Sequence, residues 1–287
     1  MQFKQLTLAV CVALGCAQLA YADTTTATAV KKVEVAKAAA QLSVTEAPFG
    51  KLPSGEQTTL YTLTNANGVV VKLSNFGGTI TSINIPDRAG KMGDIILGFN
   101  DVDGYLKNKS FFGSVIGRFG NRIGKGQFTL EGKKYQLTLN DGPNHLHGGT
   151  VGFDKTLWEA KPFKTEKSVG VTLTHFSPDG DQGYPGNLKT TVVYELNNND
   201  EFELKFKATT DKATPVNMTQ HPYFNLAGGG TILDQELFIN ADRYTPIDAT
   251  LIPTGELPSV KGTPFDFTVS QPIGKLIGQS DVQLWHI

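Results

Sequence analysis

Short runs of alternating apolar and polar residues, each ended by Gly, Pro, Asn or Asp, confine this chain to a sheet protein. The clearest run covers residues 201–208, where Phe202, Leu204, Phe206 and Ala208 take one side and Glu201, Glu203, Lys205 and Lys207 the other. A period of two buries one face of an extended strand and wets the other. Val192, Tyr194 and Leu196 make a matching face just upstream, and Asn197-Asn198-Asn199-Asp200 between them predicts a hairpin. Phe128 and Leu130, then Tyr135, Leu137 and Leu139, predict a second hairpin around residues 131–134. Thr81, Ile83 and Ile85 alternate before a Pro86-Asp87 turn, and Val171 and Leu173 alternate later. Gly and Pro, at 31 and 14 of 287 residues, exceed their usual joint share of roughly 12%. Past residue 45 there is no sustained 3.6-residue apolar period, internal repeat or splitting linker. One large antiparallel β domain, an all-β sandwich over residues 46–287, is the simplest account.

The first 45 residues differ. Lys4, an apolar stretch over residues 6–20 and the Ala20-Tyr21-Ala22 ending predict a signal peptide over residues 1–22. The apolar stretch is too short for a membrane anchor. Export to the periplasm or medium follows, with no stable membrane insertion after cleavage. Both cysteines, Cys11 and Cys16, fall inside that segment, so no disulfide or thiolate site is expected in the mature chain. Gly15 before Cys16 also permits a lipoprotein reading, which Leu14 fits poorly. Residues 23–45, rich in Ala, Thr, Val and Lys, predict a tether. Charge is balanced, 26 Lys and Arg against 27 Asp and Glu, which argues against a nucleic-acid partner.

Five histidines are the candidates for chemistry. His145 and His147 stand two apart, so on a strand they point the same way and could chelate. No third ligand is evident nearby, and no metal or other cofactor is expected. His175 and His286 read as ordinary solvated or hydrogen-bonded residues. The loop GRFGNRIGKG over residues 117–126 lacks the P-loop spacing and precedes a strand. It reads better as a loop presenting Arg118 or Arg122 to a small polar ligand, since a guanidinium fork can hold two oxygens. No G-x-S-x-G elbow occurs, and no carboxylate pair stands out as a glycosidase couple. Imidazole, guanidinium and aromatic rings in loops on a β scaffold suit proton transfer to a neutral polar ligand such as a sugar.

An ordered set of motifs goes further. Asn75-Phe76-Gly77-Gly78-Thr79-Ile80, Asp94-Ile95-Ile96-Leu97-Gly98-Phe99 and Gly117-Arg118-Phe119-Gly120-Asn121-Arg122-Ile123 come first. Then come Gly142-Pro143-Asn144-His145-Leu146-His147-Gly148-Gly149, Gly152-Phe153-Asp154-Lys155 with Trp158, and Pro215-Val216-Asn217. His221-Pro222-Tyr223-Phe224-Asn225-Leu226-Ala227-Gly228 and Leu251-Ile252-Pro253-Thr254-Gly255-Glu256 complete it. Over about residues 49–284 the chain resembles the aldose 1-epimerases (galactose mutarotases). The resemblance implies a large antiparallel β-sandwich that interconverts the α and β anomers of free aldoses such as galactose and glucose without a cofactor. It implies that His221 protonates the ring oxygen and that His147 hydrogen-bonds the sugar nearby. Asn121 and Arg122 would grip sugar hydroxyls, with His145, Pro222 and Tyr223 as further contacts.

The family pattern then continues with a G-x-D-H-x-F motif and a region leading to a glutamate base, and neither is found here. The expectation is therefore a sandwich lacking its C-terminal strands and an enzyme lacking its base. Glu256, in a P-T-G-E loop, has no claim to that role. Two other readings share the scaffold, a non-catalytic sugar-binding protein and an inactive truncated product. A sugar-phosphate epimerase is a runner-up within the enzyme class. The aldose preferred and the oligomeric state are not legible.

Overall fold

The computed structural model describes residues 41–107 and 109–284. The predicted signal peptide, both cysteines, most of the predicted tether and His286 lie outside the described residues. Chain order begins with a five-stranded antiparallel meander: β1 (Ser43–Lys51), β2 (Gln57–Thr64), β3 (Val70–Ser74), β4 (Thr79–Pro86) and β5 (Met92–Asp94). β1 starts inside the segment assigned to the tether, because Ser43, Val44 and Thr45 pair with Thr64, Leu63 and Thr62. A short helix α1 (Val102–Lys107) follows, with Val102 and Tyr105 buried against Phe49 and Phe76. Asp101 Oδ1 accepts the Gly104 N–H at 3.0 Å at its start. Six residues are too few to show a 3.6-residue period, so the sequence pattern missed this helix.

Short ladders come next: β6 (Val115–Ile116), β7 (Arg122–Ile123), β8 (Gln127–Leu130), β9 (Lys133–Gln136) and β10 (His145–Leu146). The second main sheet is a four-stranded antiparallel meander of β11 (Glu159–Lys164), β12 (Ser168–Ser177), β13 (Leu188–Asn197) and β14 (Phe202–Thr210). β15 (Thr219–Gln220), β16 (Glu236–Leu237) and β17 (Gln271–Pro272) are two residues each. Leu63, Val71 and Leu73 of the first main sheet share one buried cluster with Val171, Leu173, Val192 and Tyr194 of the second. The main sheets thus close a sandwich core from opposite sides, each giving the apolar half of its alternation.

The 197–200 hairpin is present. Asn197 N–H donates to the Glu201 carbonyl at 3.1 Å, and Asp200 takes φ 63°. Phe202, Leu204, Phe206 and Ala208 lean on the core. The other face of β14 is solvated, with Lys205 Nζ 2.9 Å from Glu203 and 3.2 Å from Glu195. The β8–β9 turn is tighter than expected. Glu131 and Gly132 (φ 50° and 75°) alone form it, the left-handed pair of a type I′ turn. Lys133 and Lys134 already belong to β9, and Leu137 and Leu139 lie beyond it. Among the described residues no helix is long and apolar enough to cross a membrane.

Candidate active site

Two short ladders bring the histidines together. β15 pairs with β6, and His221 follows β15 directly. Its backbone is fixed from both sides: His221 N–H donates to Ser114 O at 3.0 Å, and Gly113 N–H donates to His221 O at 2.9 Å. Gln220 anchors the same strand to the core through Nε2, which donates to the carbonyls of Gly78, at 3.1 Å, and Gly113. β10 pairs with β7 and delivers His147, whose N–H donates to Asn121 O at 3.1 Å. Gly148 turns immediately after it at φ 90°, where a Cβ would overlap the Gly117 carbonyl, so only glycine fits.

The rings of His147 and His221 lie 5.2 Å apart, nearly perpendicular at 85°. Phe111 walls both, 4.7 Å from His147 and 6.0 Å from His221. Tyr223 lies 5.2 Å from His221 and packs on Phe112 at 4.9 Å. The imidazoles open on a cleft of about 440 Å³ that Gly120, Asn121, Asn217, Thr219, Gln220 and Pro222 also line.

The backbone N–H of Asn121 donates to His147 Nδ1 at 2.9 Å. That bond makes Nδ1 an acceptor, so the ring proton sits on Nε2. Burial, helped by the neighbouring His221 and Arg122 charges, pulls the His147 imidazole down to about 4 despite the opposing Asp141. At neutral pH His147 is therefore an uncharged donor, unable to give up a proton as an acid. Arg122 Nε meets Asp141 Oδ2 at 2.6 Å, and Arg122 Nη1 reaches Asn121 Oδ1 at 3.4 Å. Arg122 and Asn121 are thereby oriented beside His147 as one polar wall.

Two expected contacts are corrected. His145 is fully buried and lies outside the cleft. Its Nδ1 is 2.7 Å from Thr138 O and must donate to that carbonyl, so Nε2 accepts from the Tyr184 hydroxyl at 2.8 Å. Both nitrogens are committed, so His145 neither touches a sugar nor shares a metal with His147. Arg118 is likewise a framework residue, 2% exposed. Its guanidinium donates to Ser177 Oγ and to the carbonyls of Ser177, Pro178, Pro185 and Gly186 at 2.8–3.1 Å. It ties the 117–126 loop to the β12–β13 connection and leaves Arg122 as the arginine at the site. His175 packs between Phe153 and Trp158, 5.0 and 5.1 Å away.

The structure places His147, His221, Asn121 and Pro222 on one cleft, with Arg122 beside Asn121 and Tyr223 beside His221. Phe111, Asp141, Asn217 and Thr219 join them and were not singled out beforehand. Asn217 stood inside a quoted motif, but nothing in its pattern marked it.

Comparison with known proteins supplies the context. The family model described as aldose 1-epimerase matches residues 59–283. The galactose mutarotase of Bos taurus is 46% identical over 236 residues, covering 82% of this chain and 68% of its own length. The aldose 1-epimerase of Escherichia coli K12 is 41% identical over 216 residues, 75% of this chain and 62% of its own. The crystal structure of galactose 1-epimerase from Lactobacillus acidophilus superposes with a TM-score of 0.77 at 35% identity, over 85% of this chain and 71% of that one.

Proposed function

The chain belongs to the aldose 1-epimerase family, and from that premise we propose that its cleft interconverts the α and β anomers of free aldoses by acid–base ring opening. The observation that carries the reading is the perpendicular imidazole pair. One ring is tied at Nδ1 and uncharged, and the other is not tied in that way. Anomer exchange needs a proton delivered to the ring oxygen while another leaves the C1 hydroxyl. The C1–O5 bond then breaks, C1 turns about its bond to C2, and the ring closes on the other face. His221 delivers the proton, as the ring that lines the cleft without the Nδ1 tie that fixes His147. His147 donates Nε2–H to a sugar oxygen and stays neutral throughout. Arg122, set by Asp141, and Asn121 hold hydroxyls away from the reacting carbon.

The base that takes the C1 proton is the unfilled role. Among the described residues no glutamate lines the cleft. We therefore expect the chain by itself to turn over on the order of 10²- to 10⁴-fold below a site with both partners. That gap also favours a second reading, sugar binding without interconversion. Calorimetry with galactose and polarimetry on freshly dissolved α-galactose separate the two. Binding heat with accelerated mutarotation supports the enzyme, and binding heat at the buffer rate supports the second reading. Absence of both would sink each. For location, the N-terminal pattern supports export, and finding the expressed protein with residue 1 intact in the cytoplasm would contradict it.

A further inference from the structure

β14 is the outermost strand of the second main sheet, and among the described residues no strand pairs with its outer edge. It is nine residues long, its register with β13 is unbroken, and it contains no proline. Such an edge is a template for another strand unless something guards it. Its apolar side is also under-covered. Val192, Tyr194 and Leu196 of β13 are fully buried, whereas Phe202, Leu204, Phe206 and Ala208 of β14 are only half-buried. The pairing with β13 shows which backbone groups are spare. Asn197 N–H donates to Glu201 O, so hydrogen-bonded pairs recur at every second residue: Glu195 with Glu203, Val193 with Lys205 and Thr191 with Lys207. The N–H and C=O groups of Phe202, Leu204, Phe206 and Ala208 therefore point to the free edge.

We propose that β14 pairs antiparallel with β14 of a second copy of this chain, Leu204 opposite Leu204 across a two-fold axis, joining the two four-stranded sheets into one. Charge identifies the occupant. Glu201, Glu203, Lys205 and Lys207 are ordered so that the strand read backwards about Leu204 is its own complement. In that register Glu203 meets Lys205 and Glu201 meets Lys207, each in both directions. These are the close, non-hydrogen-bonded positions, where side chains interact most. The spare backbone groups of Leu204 meet their own counterparts, and those of Phe202 meet Phe206, so ladder and charges agree. The neighbouring registers fail. Centring on Phe202 or Glu203 sets Glu against Glu, and centring on Lys205 or Phe206 sets Lys against Lys. The lysines that would guard a lone edge thus select one register. Within the chain Glu195 and Glu203 stand opposite each other, an unfavourable pair that Lys205 bridges at 3.2 and 2.9 Å. The second copy's Lys205 adds a cation on the outer side of Glu203. On the apolar face Phe202 lies against the second copy's Phe206, and Leu204 against its own counterpart, covering the half-buried row.

Sedimentation equilibrium of the full chain over a concentration series tests this. The parent should fit a monomer–dimer equilibrium with no larger species, since a two-fold pair consumes the edge. Lys205→Glu and Glu203→Lys each turn both Glu203–Lys205 contacts into like-charge contacts, and each should raise the dissociation constant at least about tenfold. The double variant, and an equimolar mixture of the two single variants, should dimerise as the parent does, because each restores unlike charges in the same register. A parent that stays monomeric throughout, a larger assembly, a dimer indifferent to both reversals, or failure of either rescue overturns the proposal. Should a variant not fold, the parent alone decides by amide hydrogen exchange. On dilution from dimer to monomer the Phe202, Leu204 and Phe206 amides should exchange faster, while those of Glu203 and Lys205, still bonded to β13, should not. A uniform change, or none, overturns the proposal.

Discussion

Residues 43–227 and residues 228–284 are built differently. The first region is two main sheets with strands up to ten residues long, closed over a core in which Leu63, Val71, Leu173 and Tyr194 are fully or almost fully buried. The second has two strands of two residues each and many turns. It leaves Phe238, Val269 and Val282 at 59%, 76% and 71% exposure, with Val260 buried. Every residue of the imidazole cleft comes from the first region. The second touches the site's support at its margin, where Asn144 Nδ2 donates to Thr250 O at 2.7 Å. Long antiparallel strands fix register, and register fixes where a short ladder such as β15 places its histidine. Turns without a ladder cannot place a side chain so closely.

The contrast can be broken by substitution. Arg118→Met should have the largest effect, about 3 kcal/mol or more of lost stability, because it takes the guanidinium donor from the buried Pro185 and Gly186 carbonyls and breaks its bonds to Ser177 and Pro178. Leu63→Ala should cost about 2–5 kcal/mol by opening a cavity between the main sheets. Chemical denaturation measures both, and losses under about 1 kcal/mol would show that the first region is not the rigid one. Acid should weaken the same region by a smaller amount. His147, His145 and His175 are all pushed by burial below the ordinary imidazole value, His147 to about 4. The unfolded chain then binds protons that the folded one resists. Stability should accordingly fall as pH drops from about 6.5 toward 4, and a flat or rising melting temperature across that window would contradict the burial. Val282→Ser, in the second region, should stay within about 0.5 kcal/mol of the parent. A large loss there would erase the distinction.

Much of the first region was legible because alternation records burial directly. The β12, β13 and β14 faces follow from Val171, Leu173, Val192, Tyr194 and Phe202 to Phe206 without further information. The limits of legibility lie where two similar residues have unlike fates. His145 and His147 share a motif and a spacing, yet one donates to Thr138 and accepts from Tyr184, 39 residues away, while the other faces the cleft. Arg118 and Arg122 share a loop, yet one is spent on backbone carbonyls. In both cases the deciding partner is distant in sequence, and no local pattern carries it. Asp154 stood in a quoted motif, but its burial depends on glycines at positions 77 and 152 packing against it. Phe111 had no pattern at all, only a left-handed φ of 58° that a sequence does not display.

The central claim is that His221 delivers the proton and His147 does not. Polarimetry on freshly dissolved α-galactose, comparing the parent chain with His221→Gln and with the buffer rate, tests it most directly. The account predicts that the parent exceeds buffer and that the variant falls on the order of 10²- to 10⁴-fold toward it, with galactose binding retained by calorimetry. A variant that equilibrates the anomers as fast as the parent would contradict it.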